Sequence, residues 1–189
     1  MNRITIEDNE EYLRSVSLDV DFNDKTYLDD IKKLEKYCTN SVVFAMAAIQ
    51  LGIPKRIIYL RNTTPNTEKN FDNSYNERKI FINPIVKCRI GHTRFLERCA
   101  SCLDNSAVID RPYIIKVEYY NIDGKKVSEV LEGFETTVFS HEYDHLDGIL
   151  HMDLAKEVWQ FSMEEAIWYR NKNPYEIVSK DCEFDSIKK

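Results

Sequence analysis

The spacing of apolar residues divides the chain into a short series of elements. Leu28, Ile31, Leu34 and Cys38 recur at helical spacing, and the spacing predicts a helix over about 28–38, with Asp29 and Asp30 near its N-terminus, where the helix dipole favours acidic groups. A dense apolar stretch runs from Val42 to Leu51 and is stopped by Gly52 and Pro54. Arg56 to Leu60 reads as a short buried strand. Segment 62–78 is rich in Asn, Thr and charge, contains Pro65, and reads as an exposed loop. Lys79 to Val86 carries another apolar run, broken by Pro84. The runs 113–120 and 126–131 flank an Asp123-Gly124 turn and predict a β-hairpin. One helix fits about 135–147, with Gly148 as its C-terminal stop, and a second fits about 154–171, ended by Pro174.

The order of helix, strands, hairpin and two helices reads as α+β rather than doubly wound α/β. With 189 residues the chain fits one domain, large enough to bury a core without staples. Its core is expected over about 28–155, with 154–189 as a C-terminal helix and tail.

Charge and composition narrow the function classes. A net charge of −6 argues against direct nucleic-acid binding, which needs a surplus of Lys and Arg. No apolar run approaches the roughly 20 residues needed to span a bilayer. The first residues, Met1 to Glu11, are polar and acidic, unlike a secretory signal. The five cysteines are an odd set, which suits a reducing cytosol with thiols free for metal, and a cytoplasmic location is expected.

The strongest chemical signal is His141-Glu142-Tyr143-Asp144-His145. Histidines at i and i+4 share one helix face, one turn apart, so both imidazoles can reach one cation. Glu142 lies beside them and can move protons. Two surface histidines so placed by chance are the bland alternative. The run continues to His151 and so spells the metzincin signature, in which a third histidine completes the metal site. A metzincin also needs a Met-containing turn, and Met163, the candidate, stands in a helix-forming stretch without Gly or Pro. His151 is read as a packing or surface histidine first and as a ligand second.

Two upstream segments enlarge the picture: Val43-Phe44-Ala45-Met46-Ala47-Ala48-Ile49-Gln50 and Ala100-Ser101-Cys102-Leu103-Asp104. With the HExxH block they resemble the peptide deformylase family, which carries a G-apolar-G-apolar-A-A-x-Q block, an E-G-C-L-S block and an H-E-x-D-H-L block in this order. The resemblance covers about 28–155. It implies a deformylase-like fold of antiparallel sheets around the HExxH helix, with a C-terminal helix. It implies Cys102, His141 and His145 as ligands of one divalent metal, Fe(II) or Zn(II), with Ni or Co as substitutes. A thiolate and two imidazoles suit those ions, and three protein ligands leave a fourth position open, the mark of a catalytic site. The resemblance further implies Glu142 as acid and base, Gln50 and the Leu103 N–H as donors to an oxyanion, and Val43, Phe44 and Ala45 as a substrate-binding strand. Arg111 becomes a buried structural charge.

The implied reaction removes the formyl group from N-formylmethionyl peptides of nascent proteins. A monomer with transient ribosome contact is expected. On this register Val43 and Ala45 replace family glycines and crowd the substrate, Ala100 and Ser101 replace Glu-Gly, and Asp104 replaces serine; these replacements weaken or alter the activity. Two other readings stand beside it: a metzincin-type protease using His151, and a metal-binding protein without turnover. Cys99 forms a Cys-x-x-Cys pair with Cys102, a weak redox or zinc signal when alone. Cys38, Cys88 and Cys182 read as structural.

Overall fold

The structure, a computed structural model, describes residues 2–41, 43–61 and 78–184. The expected loop at 62–78 lies outside them except for Arg78. Helix α1 (Ile6–Leu13) was not expected from apolar spacing. It is started by a capping box in which Thr5 and Asp8 satisfy each other's backbone N–H groups, a signal written in the sequence as Thr-x-x-Asp. Helix α2 (Thr26–Asn40) buries Tyr27, Ile31, Leu34 and Cys38, the stripe that predicted it.

Strand β1 (Ala45–Ala47) runs into a 3-10 turn (Ala48–Leu51) that ends at Gly52, where φ is +77°. A left-handed residue there is cheapest as glycine. Strand β2 (Ile57–Arg61) is buried along its whole length. Next comes β3 (Arg78–Arg98), a strand of 21 residues, followed by β4 (Asn105–Arg111) and the hairpin β5 (Ile114–Tyr120) and β6 (Lys126–Glu132). Helix α3 (Phe134–Leu146) carries the HExxH motif. The chain ends with β7 (Trp159–Gln160), α4 (Met163–Lys172) and β8 (Glu176–Glu183).

All strand pairs are antiparallel, and β3 is shared among four of them. Its first residues pair with β2, its middle with β5, and its end with β4 and β8. Pro84 does not end β3, as the broken apolar run suggested. The register with β5 instead shifts between Ile82 and Ile85, a bulge that accommodates the missing N–H. Asn83 stands there at φ +50°, and its side chain accepts the Val20 N–H at 2.8 Å and donates to the Val20 carbonyl at 3.0 Å.

Two apolar clusters flank the sheet. One packs α2 against β2, the start of β3 and the 3-10 turn, through Ile31, Leu34, Met46, Ile57 and Tyr59. The other packs α3 against β2, β5 and β6, through Phe139, Leu146, Phe81, Ile115 and Leu131. Burial of each such aliphatic side chain contributes roughly 1.5–3 kcal/mol.

The C-terminal region departs from the expected helix over 154–171. His151–Leu154 is a 3-10 turn, Trp159 pairs with Ser106 of β4, and α4 begins only at Met163. The reason is a second capping box, Ser162-x-x-Glu165, which sets the helix start nine residues later than apolar content alone suggests. The expected tail contains β8, nearly all exposed, so its side chains carry no inside–outside alternation to be read. No helix among the described residues is long and apolar enough to cross a membrane.

Candidate metal centre

Helix α3 presents His141 and His145 one turn apart, with ring centroids 5.2 Å apart. Its C-terminus is fixed by Gly148 at φ +71°, and a Cβ there would lie 2.1 Å from the Arg14 carbonyl oxygen. The Ser17 N–H also donates to the Leu146 carbonyl at 2.8 Å, so the segment after α1 is seated on the end of the histidine helix.

The thiol brought to the histidines is Cys99, not Cys102. Ligand atoms of Cys99, His141 and His145 all lie within 4.8 Å of one another, and Cys99 Sγ is 3.2 Å from His145 Nε2. Cys102 is fully buried in a small cluster with Leu13, Cys99 and Leu150, outside the converging set. The sequence reading was three residues out of register: the family block falls on Glu97-Arg98-Cys99-Ala100-Ser101. The Cys-Leu pair at 102–103 matched the block's Cys-Leu, while Glu, Cys and Ser at their proper intervals were the better signal.

The shift removes the departures read at the glutamate and serine of this block, keeps one at the glycine, and adds one at the leucine, where Ala100 stands. Glu97 supplies the glutamate that Ala100 was taken to have replaced, Ser101 is the serine, and Arg98 stands in the glycine position. Leu103 lies beyond the ligand turn, and Asp104 points outward, largely exposed, paired with Arg98 at 2.9 Å. The glutamate matters to the geometry. Glu97 Oε2 is 2.8 Å from His141 Nδ1, which fixes the ring and leaves Nε2 as the nitrogen free to face the thiol. The same carboxylate receives Arg111 Nε at 2.8 Å and an Arg111 terminal nitrogen at 2.9 Å, while the other terminal nitrogen donates to Asp144. Arg111 is 4% exposed, as expected of a structural charge.

Glu142 and Gln50 close the site from the β1 side. The Ala47 N–H donates to Glu142 Oε2 at 2.8 Å and to Gln50 Oε1 at 3.0 Å. Gln50 Nε2 donates to Ser101 Oγ at 3.0 Å and lies 3.5 Å from Cys99 Sγ. Burial pushes the Glu142 carboxyl up to about 7, opposed by His141 and the Ala47 N–H and reinforced by the Cys99 and Glu97 charges. Burial alone would depress His141, but hydrogen bonds and charge from Cys99 and Glu97 outweigh it and hold His141 well above its ordinary value. Arg111 and His141 overcome the burial of Glu97 and hold that carboxyl well below the usual carboxylate range.

Two imidazoles and a thiol converging at this range fit a divalent ion of the Fe(II) or Zn(II) kind, because the donor set is soft and its geometry is already closed around one point. His151 is not part of it. It is buried, its ring lies tilted 5.6 Å from the His141 ring, and it donates from Nε2 to the Asn105 carbonyl at 3.2 Å. Met163, the residue read as a candidate for the Met-containing turn, opens α4 and is exposed, and His151 lies outside the converging donors, so the metzincin reading falls away. Cys38 is buried, whereas Cys88 and Cys182, read as structural, are exposed; all five thiols are free.

A buried HExxH helix with a converging thiol, on an antiparallel α+β frame, defines a protein of the metal-dependent hydrolase class. The model of the family described as polypeptide deformylase matches residues 2–160, and the chain belongs to that family. A peptide deformylase of Rhizobium meliloti is 35% identical over 151 residues, 77% of this chain and 80% of that protein. One of Pelagibacter ubique is 38% identical over 60% of this chain, and the match spans 62% of that relative's length. Among solved structures, a probable peptide deformylase from Synechococcus phage S-SSM7 superimposes with TM-score 0.69 and 31% identity, covering 81% of this chain and 98% of that one. A Plasmodium falciparum peptide deformylase gives 0.69 at 27% identity, covering 90% of this chain and 92% of that one.

Proposed function

We propose that the chain removes the formyl group from N-formylmethionyl peptides, with Cys99, His141 and His145 holding one Fe(II) or Zn(II) ion. The observation that carries the reading is the convergence of those three donors beside a buried Glu142, in a chain of the deformylase family. The bound ion supplies Lewis-acid activation of water and of the formyl oxygen.

Glu142 takes the proton from the attacking water and returns it to the leaving amine, a task favoured by a carboxyl raised to about 7 by burial. Gln50 Nε2, held beside Cys99, donates to the developing oxyanion. The Ala100 N–H, the residue after the ligand thiol, takes the part first assigned to Leu103. Glu97 holds the His141 tautomer.

The peptide lies along β1, which pairs with β2 and ends the strand order of the sheet. Residues 43–45 form or lead into that edge. Val43 packs against the α2 cluster and Ala45 against the α3 cluster, so both side chains that replace glycine are taken up in packing. The domain is one unit over 1–189. It acts in the cytoplasm as a monomer with transient ribosome contact, an assignment supported by its substrate class.

The test is an anaerobic assay of metal-loaded protein on formyl-Met peptide. Glu142→Gln retains the metal and lowers kcat by about 10²- to 10⁴-fold. Cys99→Ala loses the metal, while Cys102→Ala keeps it. Turnover of the Glu142 variant at the parent rate, or metal loss confined to the Cys102 variant, ends this assignment.

A further inference from the structure

The metal site uses one thiol of the Cys99-x-x-Cys102 pair, and the second is placed with equal care. The Cys102 N–H donates to the Cys99 carbonyl at 3.0 Å, so the two residues close a single turn around the 3-10 segment Ala100–Cys102. In such a turn the first and fourth Cα atoms lie within about 7 Å. Cys99 is the extended N-cap residue of that turn and Cys102 its last residue. A disulfide asks for a Cα separation of about 4.4–6.8 Å. Both side chains are buried, at 2% and 0% exposure, in one small cluster with Leu13 and Leu150. The remaining cysteines sit on other elements: Cys38 on α2, Cys88 on β3 and Cys182 on β8.

We propose that Cys102 is a resolving cysteine, which traps oxidised Cys99 as a Cys99–Cys102 disulfide when the metal is lost and so keeps the ligand thiol recoverable. The inference rests on Cys99 being the metal ligand. The oxidant is a peroxide. The Cys99 thiolate attacks one peroxide oxygen, the O–O bond breaks, and Cys99 becomes a sulfenic acid as hydroxide leaves. The Cys102 sulfur then attacks the sulfenic sulfur; the S–O bond breaks, its oxygen departs as water with the Cys102 proton, and the S–S bond forms. Two electrons pass from the two thiols to the peroxide. A dithiol reductant returns both thiols by exchange and becomes a disulfide itself. Without the resolving thiol, a second peroxide carries Cys99 to the sulfinic acid, which a dithiol does not reverse.

The test treats zinc-loaded and chelator-stripped protein with hydrogen peroxide, blocks remaining thiols, and maps the peptides by mass. The stripped parent is expected to yield a Cys99–Cys102 linkage two hydrogens lighter than the thiol form and to regain zinc binding after a dithiol. Cys102→Ser is expected to carry Cys99 as sulfinic or sulfonic acid and to stay unable to bind zinc. Absence of the linkage in the parent, or equal recovery in Cys102→Ser, overturns the proposal. The parent linkage needs no variant, so poor folding of Cys102→Ser leaves the result decisive. Zinc retained by Cys99→Ala would overturn the ligand reading separately, whatever the mapping shows.

Discussion

The interior contains two regions built on opposite principles. Around α2, Ile31, Leu34, Met46, Ile57 and Tyr59 are packed apolar against apolar. Behind α3, Glu97, Arg111, Asp144, His141 and Glu142 crowd charged groups into an interior with little access to water. Apolar burial stabilises in proportion to area, whereas a buried ion pair barely offsets its own desolvation. The α3 network therefore contributes little to the fold as a sum. What it contributes is placement: every charge in it bears on His141 directly or through Glu97.

The difference is sharpened first by Arg111→Met. Removing the cation leaves buried Glu97 with His141 as its remaining partner and takes the guanidinium from half-buried Asp144, an expected loss of about 3–5 kcal/mol in denaturant unfolding. Glu97 keeps its bond to His141 Nδ1 but loses the guanidinium that fixes its carboxylate, and metal affinity of the folded fraction should fall by roughly 10- to 100-fold. Metal affinity equal to the parent's would mean that the network serves stability after all.

Leu34→Ala makes the opposite cut. A cavity at α2 should cost about 2–5 kcal/mol, with metal content per folded chain unchanged. A matching fall in metal affinity would show that the two regions are coupled and break the comparison.

The smallest effect lies at the rim of the α2 region. Asp30 pairs with Lys55 at 2.8 Å and Lys33 at 3.0 Å. Burial raises its carboxyl, but those two lysines outweigh it and the net shift is downward. A depressed folded value means stability that is present above the unfolded value, near 3.9, and lost as pH falls through the folded one. Asp30→Asn should cost about 1 kcal/mol or less at pH 7, and the gap to the parent should close below about pH 4. A gap that persists at pH 2 would assign the effect to packing rather than charge.

The same two regions differ in how far they were legible in the sequence. Helix α2 and strand β2 could be read because one face of a helix and a short apolar run follow from burial alone. The HExxH pair could be read because its two members lie on one turn. The thiol could not be placed by spacing, since Cys99 meets the histidines from more than forty residues away and Cys102 offers the same chemistry three residues on. Glu97 was missed for the same reason: a carboxylate inside a strand looks like a solvated position until Arg111 and His141 are seen to enclose it. Helix α1 was missed and α4 misplaced because their starts are set by capping boxes at Thr5 and Ser162, not by apolar period.

Strand β3 has a consequence in time. Its partners are drawn from residue 57 to residue 183, so the sheet cannot be completed by any short stretch of chain. Most of its pairings join residues far apart in sequence, and loop closure must precede them, which places folding in the slow, millisecond-to-second range of non-local β topologies. During synthesis β3 emerges before β4, β5 and β8, and its partner edges stay open until those strands arrive. An open strand edge is a template for pairing with other chains. The nascent protein thus spends a defined interval exposed to misassociation, and that interval ends only when β8 has left the ribosome.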